Sequence, residues 1–184
     1  MGSSFWQSLQ QWDDRWTSRL TLKPGRGPGW YCATFLAHSG DSWLWVGALG
    51  VIWLLTSDSW HRRAALLAAA VGIQALTVFA LKQFIRRPRP EGEWGAIYRN
   101  VDPHSFPSGH AVRAALLAVM AVGLGPQWFA ALLLIWAPLV SLARVATGVH
   151  YLSDVLAGML LGTLMGVGML ALSDWLMQLF PFFF

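Results

Sequence analysis

The run Arg144-Val-Ala-Thr-Gly-Val-His150-Tyr-Leu-Ser-Asp154 spans the junction of two strongly apolar stretches, residues 127–146 and 154–180. From Ala114 to Phe184 the chain carries only three formal charges, Arg144, Asp154 and Asp174, and the first two flank His150. A charged side chain at the centre of a bilayer costs at least ~2.5–3.5 kcal/mol, so charges inside such segments tend to mark function. An arginine, a histidine and an aspartate this close together, at a junction that water can reach, read as an active site rather than a surface.

Outward from this junction the hydrophobic segments fall at about 42–57, 64–85, 109–124, 127–146 and 154–180. A simple span needs about 20 residues, which the second, fourth and fifth supply. The first and third are short, so they extend into flanking sequence or are shielded by the other helices. Inside a membrane the backbone must satisfy its own hydrogen bonds, which makes these segments helices. Gly158, Gly162, Gly166 and Gly168 in the last segment permit close helix packing. Upstream, Phe5, Trp6, Leu9, Trp12, Trp16 and Leu20 recur at helical spacing within residues 5–22. This reads as an amphipathic helix lying on a membrane surface or packed on other protein. Lys23-Pro-Gly-Arg-Gly-Pro-Gly29 breaks it, and Trp30 to His38 forms a short apolar piece, a partial sixth segment. The expected architecture is therefore an all-α integral-membrane bundle of five to six segments with an N-terminal amphipathic helix. It forms a single domain over 1–184, with residues 1–29 interfacial and 30–184 the helical core.

Composition agrees with that class. Of 184 residues 55% are apolar and 12% charged, against roughly 25% charged in soluble domains. The net charge of +4 is modest, and its arginines cluster near segment ends, so anionic lipid or phosphate is a better partner than nucleic acid. The lone Cys32 excludes an internal disulfide and offers no metal cluster. Asp13, Asp14 and Arg15 interrupt any signal-peptide pattern.

If each segment crosses once, three polar clusters meet on one face. The first is Lys82-Gln-Phe-Ile-Arg-Arg-Pro-Arg89-Pro90, either a lipid-headgroup anchor or a stiffened set of cations. The second is Pro107-Ser108-Gly109-His110, where Ser108 can cap a helix whose free N–H groups accept an anion. The third is Arg144, His150 and Asp154. His150 and Asp154 stand four apart and share a helix face, so the carboxylate can fix the imidazole tautomer. A salt bridge between Asp154 and Arg144 is the bland alternative. Cations, neutral donors and two imidazoles together suit phosphoryl transfer. The sequence shows no carboxylate cluster to hold a metal, so no cofactor is expected.

On these residues the chain resembles the type 2 phosphatidic-acid phosphatase superfamily, which shares its core with vanadium haloperoxidases and bacterial acid phosphatases. The motif Lys, six residues, Arg-Pro matches Lys82 through Pro90, Pro-Ser-Gly-His matches 107–110, and Arg, five residues, His, three residues, Asp matches Arg144, His150 and Asp154. Ala143 replaces the serine that precedes the arginine in the family, and Ser141 or Thr147 would have to compensate. The resemblance implies that His150 attacks phosphorus to form a phosphohistidine while Asp154 orients it. It implies that His110 protonates the leaving group and then helps activate water, and that Lys82, Arg89, Ser108, Gly109 and Arg144 hold the phosphoryl oxygens. His104, outside the motifs, reads as a loop residue near the mouth. His38 and His61 have no assigned role, and Glu91, Glu93 and Asp102 read as solvated loop charges.

The expected activity is metal-independent hydrolysis of a lipid phosphomonoester or diphosphate, with phosphatidic acid, phosphatidylglycerol phosphate or a polyprenyl diphosphate as substrate. The alternatives are a lipid phosphotransferase and a non-enzymatic lipid-phosphate binding or transport protein. Partners are the lipid phosphate and the bilayer; oligomeric state is not legible. The expected location is a bacterial inner membrane with the site facing the periplasm, although the basic residues on the catalytic face, among them Arg15, Arg19, Arg86, Arg87 and Arg99, pull towards the cytoplasm.

Overall fold

The computed structural model describes residues 2–57, 59–91, 100 and 102–183, and their side chains except those of residues 2–6 and 9. The named helices, in chain order, are α1 (Gly2–Leu20), α2 (Gly27–Ser39), α3 (Ser42–Leu55), α4 (Ser59–Ile85), α5 (Gly109–Leu124), α6 (Gln127–Ala146), α7 (Leu152–Ala171) and α8 (Ser173–Leu179). Among the described residues the only strand-like pairing is one isolated bridge between Pro88 and His104. The protein is an all-α integral-membrane bundle in which α4, α6 and α7 are each long and apolar enough to cross a bilayer.

Helices α3 and α5 have 14 and 16 residues; they rise about 21 and 24 Å, short of a hydrocarbon core of about 30 Å. Helix α5 is shielded by its neighbours. Ala111, Ala114, Leu116, Leu117, Met120 and Ala121 are all buried, because α5 packs against α4, α6 and α7. Its many alanines keep it thin enough to be surrounded.

The closest approach is between α5 and α7. A Cβ placed on Gly158 would lie 2.9 Å from the Ser108 carbonyl oxygen, and one on Gly162 would lie 2.1 Å from that of Val112. At Gly166 it would meet Val119 Cβ at 2.8 Å. Gly168, expected to share this role, has nothing within 4 Å: it lies off the face that meets α5. On the opposite side of α7, Leu156, Leu160 and Leu164 are all more than half exposed. Small residues face protein and leucines face lipid, as expected for a bilayer solvent.

Two expected boundaries shift. The final apolar run does not form one helix to residue 180. It breaks at Leu172, where the Ser173 hydroxyl turns back to the Leu170 carbonyl (2.8 Å) and competes with the helix backbone. Ser59–Arg63, expected as a turn, is the first turn of α4; Asp58 lies outside the described residues. Here Arg63 covers the Trp60 ring and His61 stacks on Trp53 of α3, so the polar turn can stay helical.

Helix α1 is amphipathic, but its buried side is polar. Asp13 and Thr17 face the bundle, while Trp12 and Trp16 are exposed. That arrangement suits an interfacial helix, with polar groups on protein and indoles towards the lipid boundary.

Gly162→Ala is expected to destabilise the protein by about 1–3 kcal/mol through overpacking, read by thermal unfolding in detergent micelles. Gly168→Ala, which meets no neighbour, should leave the transition in place.

Candidate active site

Local backbone features aim the three clusters at one another. Helix α4 ends when Arg86 turns into the left-handed region (φ 52°), its N–H on the Lys82 carbonyl at 3.0 Å. Arg87-Pro88-Arg89-Pro90 then leaves the helix without rejoining it, since prolines lack the donor that a helix needs. Ser108 precedes α5 in the N-cap position, but its hydroxyl makes no capping bond. After α6, Gly148 (φ 73°) takes a conformation that few other residues tolerate, and the chain turns to present His150.

Lys82, Arg89, Gly109, His110, Arg144 and His150 all line one cavity of about 320 Å³. Arg113, Asp102 and Gln74 join them, with Ala75, Val78 and Phe79 forming an apolar wall. Among the described residues, four cations against one carboxylate make this an anion site. Ser108 and Asp154 are fully buried beside it, and the Ser108 N–H donates to the Asp154 carbonyl at 3.0 Å.

Arg89 is held from several sides. Its Nε donates to the Asp102 carbonyl (2.7 Å), its Nη1 to the Val149 carbonyl (2.9 Å) and its Nη2 to Asp102 Oδ2 (2.8 Å). Nη1 also lies 3.2 Å from His150 Nε2. A guanidinium only donates, so Nε2 of His150 presents its lone pair and Nδ1 carries the hydrogen. That Nδ1 faces Asp154 Oδ2 at 3.5 Å, a long contact. Burial, then the charges of Arg144, Arg89 and Lys82, push the His150 imidazole well below its ordinary pKa, which keeps it neutral and nucleophilic near pH 7.

Asp154 sits in the first turn of α7, where its Oδ2 accepts the Tyr151 N–H at 2.9 Å. Its ion-pair partner is Arg87 (Nη1 to Oδ1, 2.7 Å) rather than Arg144. Arg87 also lies over the Tyr151 ring and donates through Nη2 to Asp13 Oδ2 at 2.6 Å. Asp13 and Thr17 of α1 in turn accept the N–H groups of Ser153 and Leu152, each at 3.0 Å. Helix α1 therefore caps the helix that carries Asp154.

His110 has its own carboxylate. Nε2 lies 2.7 Å from Asp41 Oδ1, in the turn between α2 and α3, and the other Asp41 oxygen is 3.1 Å from His38 Nδ1. Burial of Asp41 opposes its ionisation, but the hydrogen bonds and charges of His110 and His38 outweigh it and hold the carboxyl well below the usual range.

The sequence profile of the PAP2 superfamily matches residues 63–178, more than half the chain and all three clusters. The chain belongs to the PAP2 superfamily. A decaprenylphosphoryl-5-phosphoribose phosphatase of Mycobacterium tuberculosis is 38% identical over 141 residues, 71% of this chain and 73% of that protein. An undecaprenyl-diphosphatase of Sulfolobus acidocaldarius is 47% identical over 60 residues, 33% of this chain and 29% of its own. Among solved structures, the PAP2-type phosphatidylglycerolphosphate phosphatase of Bacillus subtilis superposes with a TM-score of 0.72 at 25% identity, covering 91% of this chain and 87% of its own.

The serine missing from the third PAP2 motif is not replaced by a neighbour. Ala143 packs with Ala33 and Ala37 of α2, Thr147 donates to the Ala143 carbonyl at 2.9 Å, and Ser141 is buried away from the cavity. Asp102 is not a solvated loop charge. It bridges Lys82 and Arg89 inside the cavity, though its side chain is still 40% exposed. Its signal was faint, one carboxylate in a loop eight residues before His110. Asp13, Asp41, Arg87 and Arg113 join the site through long-range partners 66 or more positions away, which no local pattern indicates; only Arg113, one turn after His110 on an apolar helix, carries a usable cue. His104 pairs with Pro88 in the loop and does not line the cavity. His61 accounts for itself structurally against Trp53 and the Thr56 carbonyl. Glu93 and Arg99 lie outside the described residues.

Removing Arg87 strands two buried carboxylates. Arg87→Met is expected to cost about 3–5 kcal/mol, as for a buried pair broken on one side, measured by chemical unfolding in detergent. Asp13→Asn in the same chain should recover part of that loss, giving a non-additive double-mutant cycle.

Proposed function

We propose that this protein is a metal-independent lipid phosphatase that works through a phosphohistidine. The observation that carries the reading is the composition of one cavity: four cations and two imidazoles beside an apolar wall of Ala75, Val78 and Phe79. Phe79 is 63% exposed, so that wall continues into the lipid-facing surface of α4, and an acyl or prenyl tail can reach the site without leaving the bilayer.

Lys82, Arg89 and Arg144 hold the phosphoryl oxygens, arginine being suited to bidentate contact, and Ser108 and Gly109 add neutral donors at the start of α5. Asp102 yields its two cations to the incoming phosphoryl group. His150 Nε2 attacks phosphorus in line, and the bond to the leaving oxygen breaks as His110 supplies a proton to it. Water then attacks the phosphohistidine, losing its proton to His110. The P–N bond breaks, and both histidines return to their starting states. Asp154 holds the Nδ1 hydrogen of His150 throughout.

A polyprenyl-linked phosphomonoester is the first substrate to test, a choice supported by the likeness along most of both chains to a decaprenylphosphoryl-5-phosphoribose phosphatase. The whole of residues 1–184 acts as one domain, supported by the core shared among α3, α4, α5, α6 and α7.

Purified protein in detergent with chelator should release inorganic phosphate from such a lipid. His150→Ala should abolish that release, and Asp154→Asn should slow it by about 10²–10⁴-fold. Retained turnover in His150→Ala would end the mechanism.

The site faces the periplasm of a bacterial inner membrane. Arg87, consumed by Asp13 and Asp154, drops out of the positive-inside count that argued for the cytoplasm. Pro24 lies beside Tyr151, at the His150 end of the bundle. A cysteine introduced there (Pro24→Cys, with Cys32→Ser) should react with an impermeant maleimide on intact cells; labelling only after lysis would reverse the orientation.

A further inference from the structure

We propose that Asp41 is a positioning residue for the proton-transfer step, forming with His110 a second carboxylate–imidazole pair that sets which ring nitrogen handles the proton. The inference rests on the phosphatase reading above. It concerns a residue outside the three motifs, contributed by the turn between α2 and α3.

The turn is held tightly around this carboxylate. Arg113, one helical turn after His110, donates from Nε to the Gly40 carbonyl (2.8 Å) and from Nη1 to Ser42 Oγ (2.7 Å), while its Nη2 also reaches Gly40. Residues on both sides of Asp41 are thereby clamped to α5. The indole N–H groups of Trp45 and Trp136 donate to the Ser39 carbonyl and hydroxyl, at 3.1 and 2.9 Å. A Cβ on Gly40 would lie 3.1 Å from His110 Cδ2 and 2.8 Å from Val140 Cγ1, so only glycine lets the turn press this close to the ring. Arg113 thus gives the turn a tie to α5 separate from the Asp41–His110 contact.

The chemistry follows from donor and acceptor capacity. A carboxylate only accepts, so the His110 Nε2 at 2.7 Å carries a hydrogen. Neutral His110 then has its lone pair on Nδ1, and the imidazolium carries a second hydrogen there. Nδ1 is accordingly the nitrogen that gives a proton to the leaving oxygen as the P–O bond breaks. It also takes a proton from water as the P–N bond of the phosphohistidine breaks. Asp41 keeps the Nε2 hydrogen in both steps and stabilises the imidazolium that precedes the first step and is restored by the second, against the cations Arg113 and Arg144 that line the same cavity. His38 occupies the other Asp41 oxygen and limits rotation of the carboxylate.

The test compares two leaving groups. Hexadecyl phosphate expels an alkoxide that needs a proton, whereas 4-nitrophenyl phosphate expels a phenolate that is stable without one. With kcat/KM as the readout, Asp41→Asn should lose about 10²-fold on hexadecyl phosphate and less than about 5-fold on 4-nitrophenyl phosphate. Asp41→Glu should recover most of the alkyl-phosphate activity. Equal losses on both substrates would assign Asp41 a purely structural role and overturn the proposal, as would no loss on either. Wild-type protein that released phosphate from neither compound would instead overturn the phosphatase reading, and this inference with it, without reference to any variant.

Discussion

Helix α5 can lie against α7 only because Gly158, Gly162 and Gly166 carry no side chain, and the rest of the site depends on that contact. Ser108 and His110 ride on the start of α5, and Asp154 on the start of α7. The Ser108 N–H reaches the Asp154 carbonyl at 3.0 Å because the backbones are this near. Widening that seam would draw the Ser108 N–H away from the Asp154 carbonyl. In a bilayer, where lipid is as apolar as leucine, such close backbone packing supplies the attraction that water would otherwise drive.

A second constraint is electrostatic. The bundle encloses many ionised groups for an apolar protein, and among the described residues the carboxylates in and around the site are matched. Asp13 and Asp154 share Arg87, Asp102 bridges Lys82 and Arg89, and Asp41 sits between two histidines. A buried charge without a partner costs several kcal/mol, so these pairings restrict which conformations the loops can adopt. They leave the cavity with an excess of positive charge directed at one volume. Helix α1 is part of this network, which ties it to the carboxylate behind His150.

Much of this was visible in the order of residues. The three spaced motifs gather around a single cavity, but His150 does not share a helix face with Asp154 as their spacing suggests: it lies in the turn before α7, and the short connection alone keeps the two within 3.5 Å. The polar face of α1 was harder to read. Its tryptophans dominate the pattern, yet Asp13 and Thr17 make the contacts with the bundle. Asp102 looked solvated for a similar reason, since a loop carboxylate shows no periodicity and its cationic partners are contributed by another element. Asp41 was invisible because nothing near it in sequence hints at His110, 69 positions later.

The chain alone determined that apolar runs must be helices in lipid and that their polar ends hold an anion-handling set of cations and imidazoles, because hydrogen-bond satisfaction and charge desolvation depend on residue type. It also determined the partners that lie within one or two helical turns. Only the tertiary structure decided which carboxylate serves which cation or imidazole, and that α1 and the α2–α3 turn belong to the site. Those pairings are set by how helices far apart in sequence cross, a property of packed shape that no local pattern encodes.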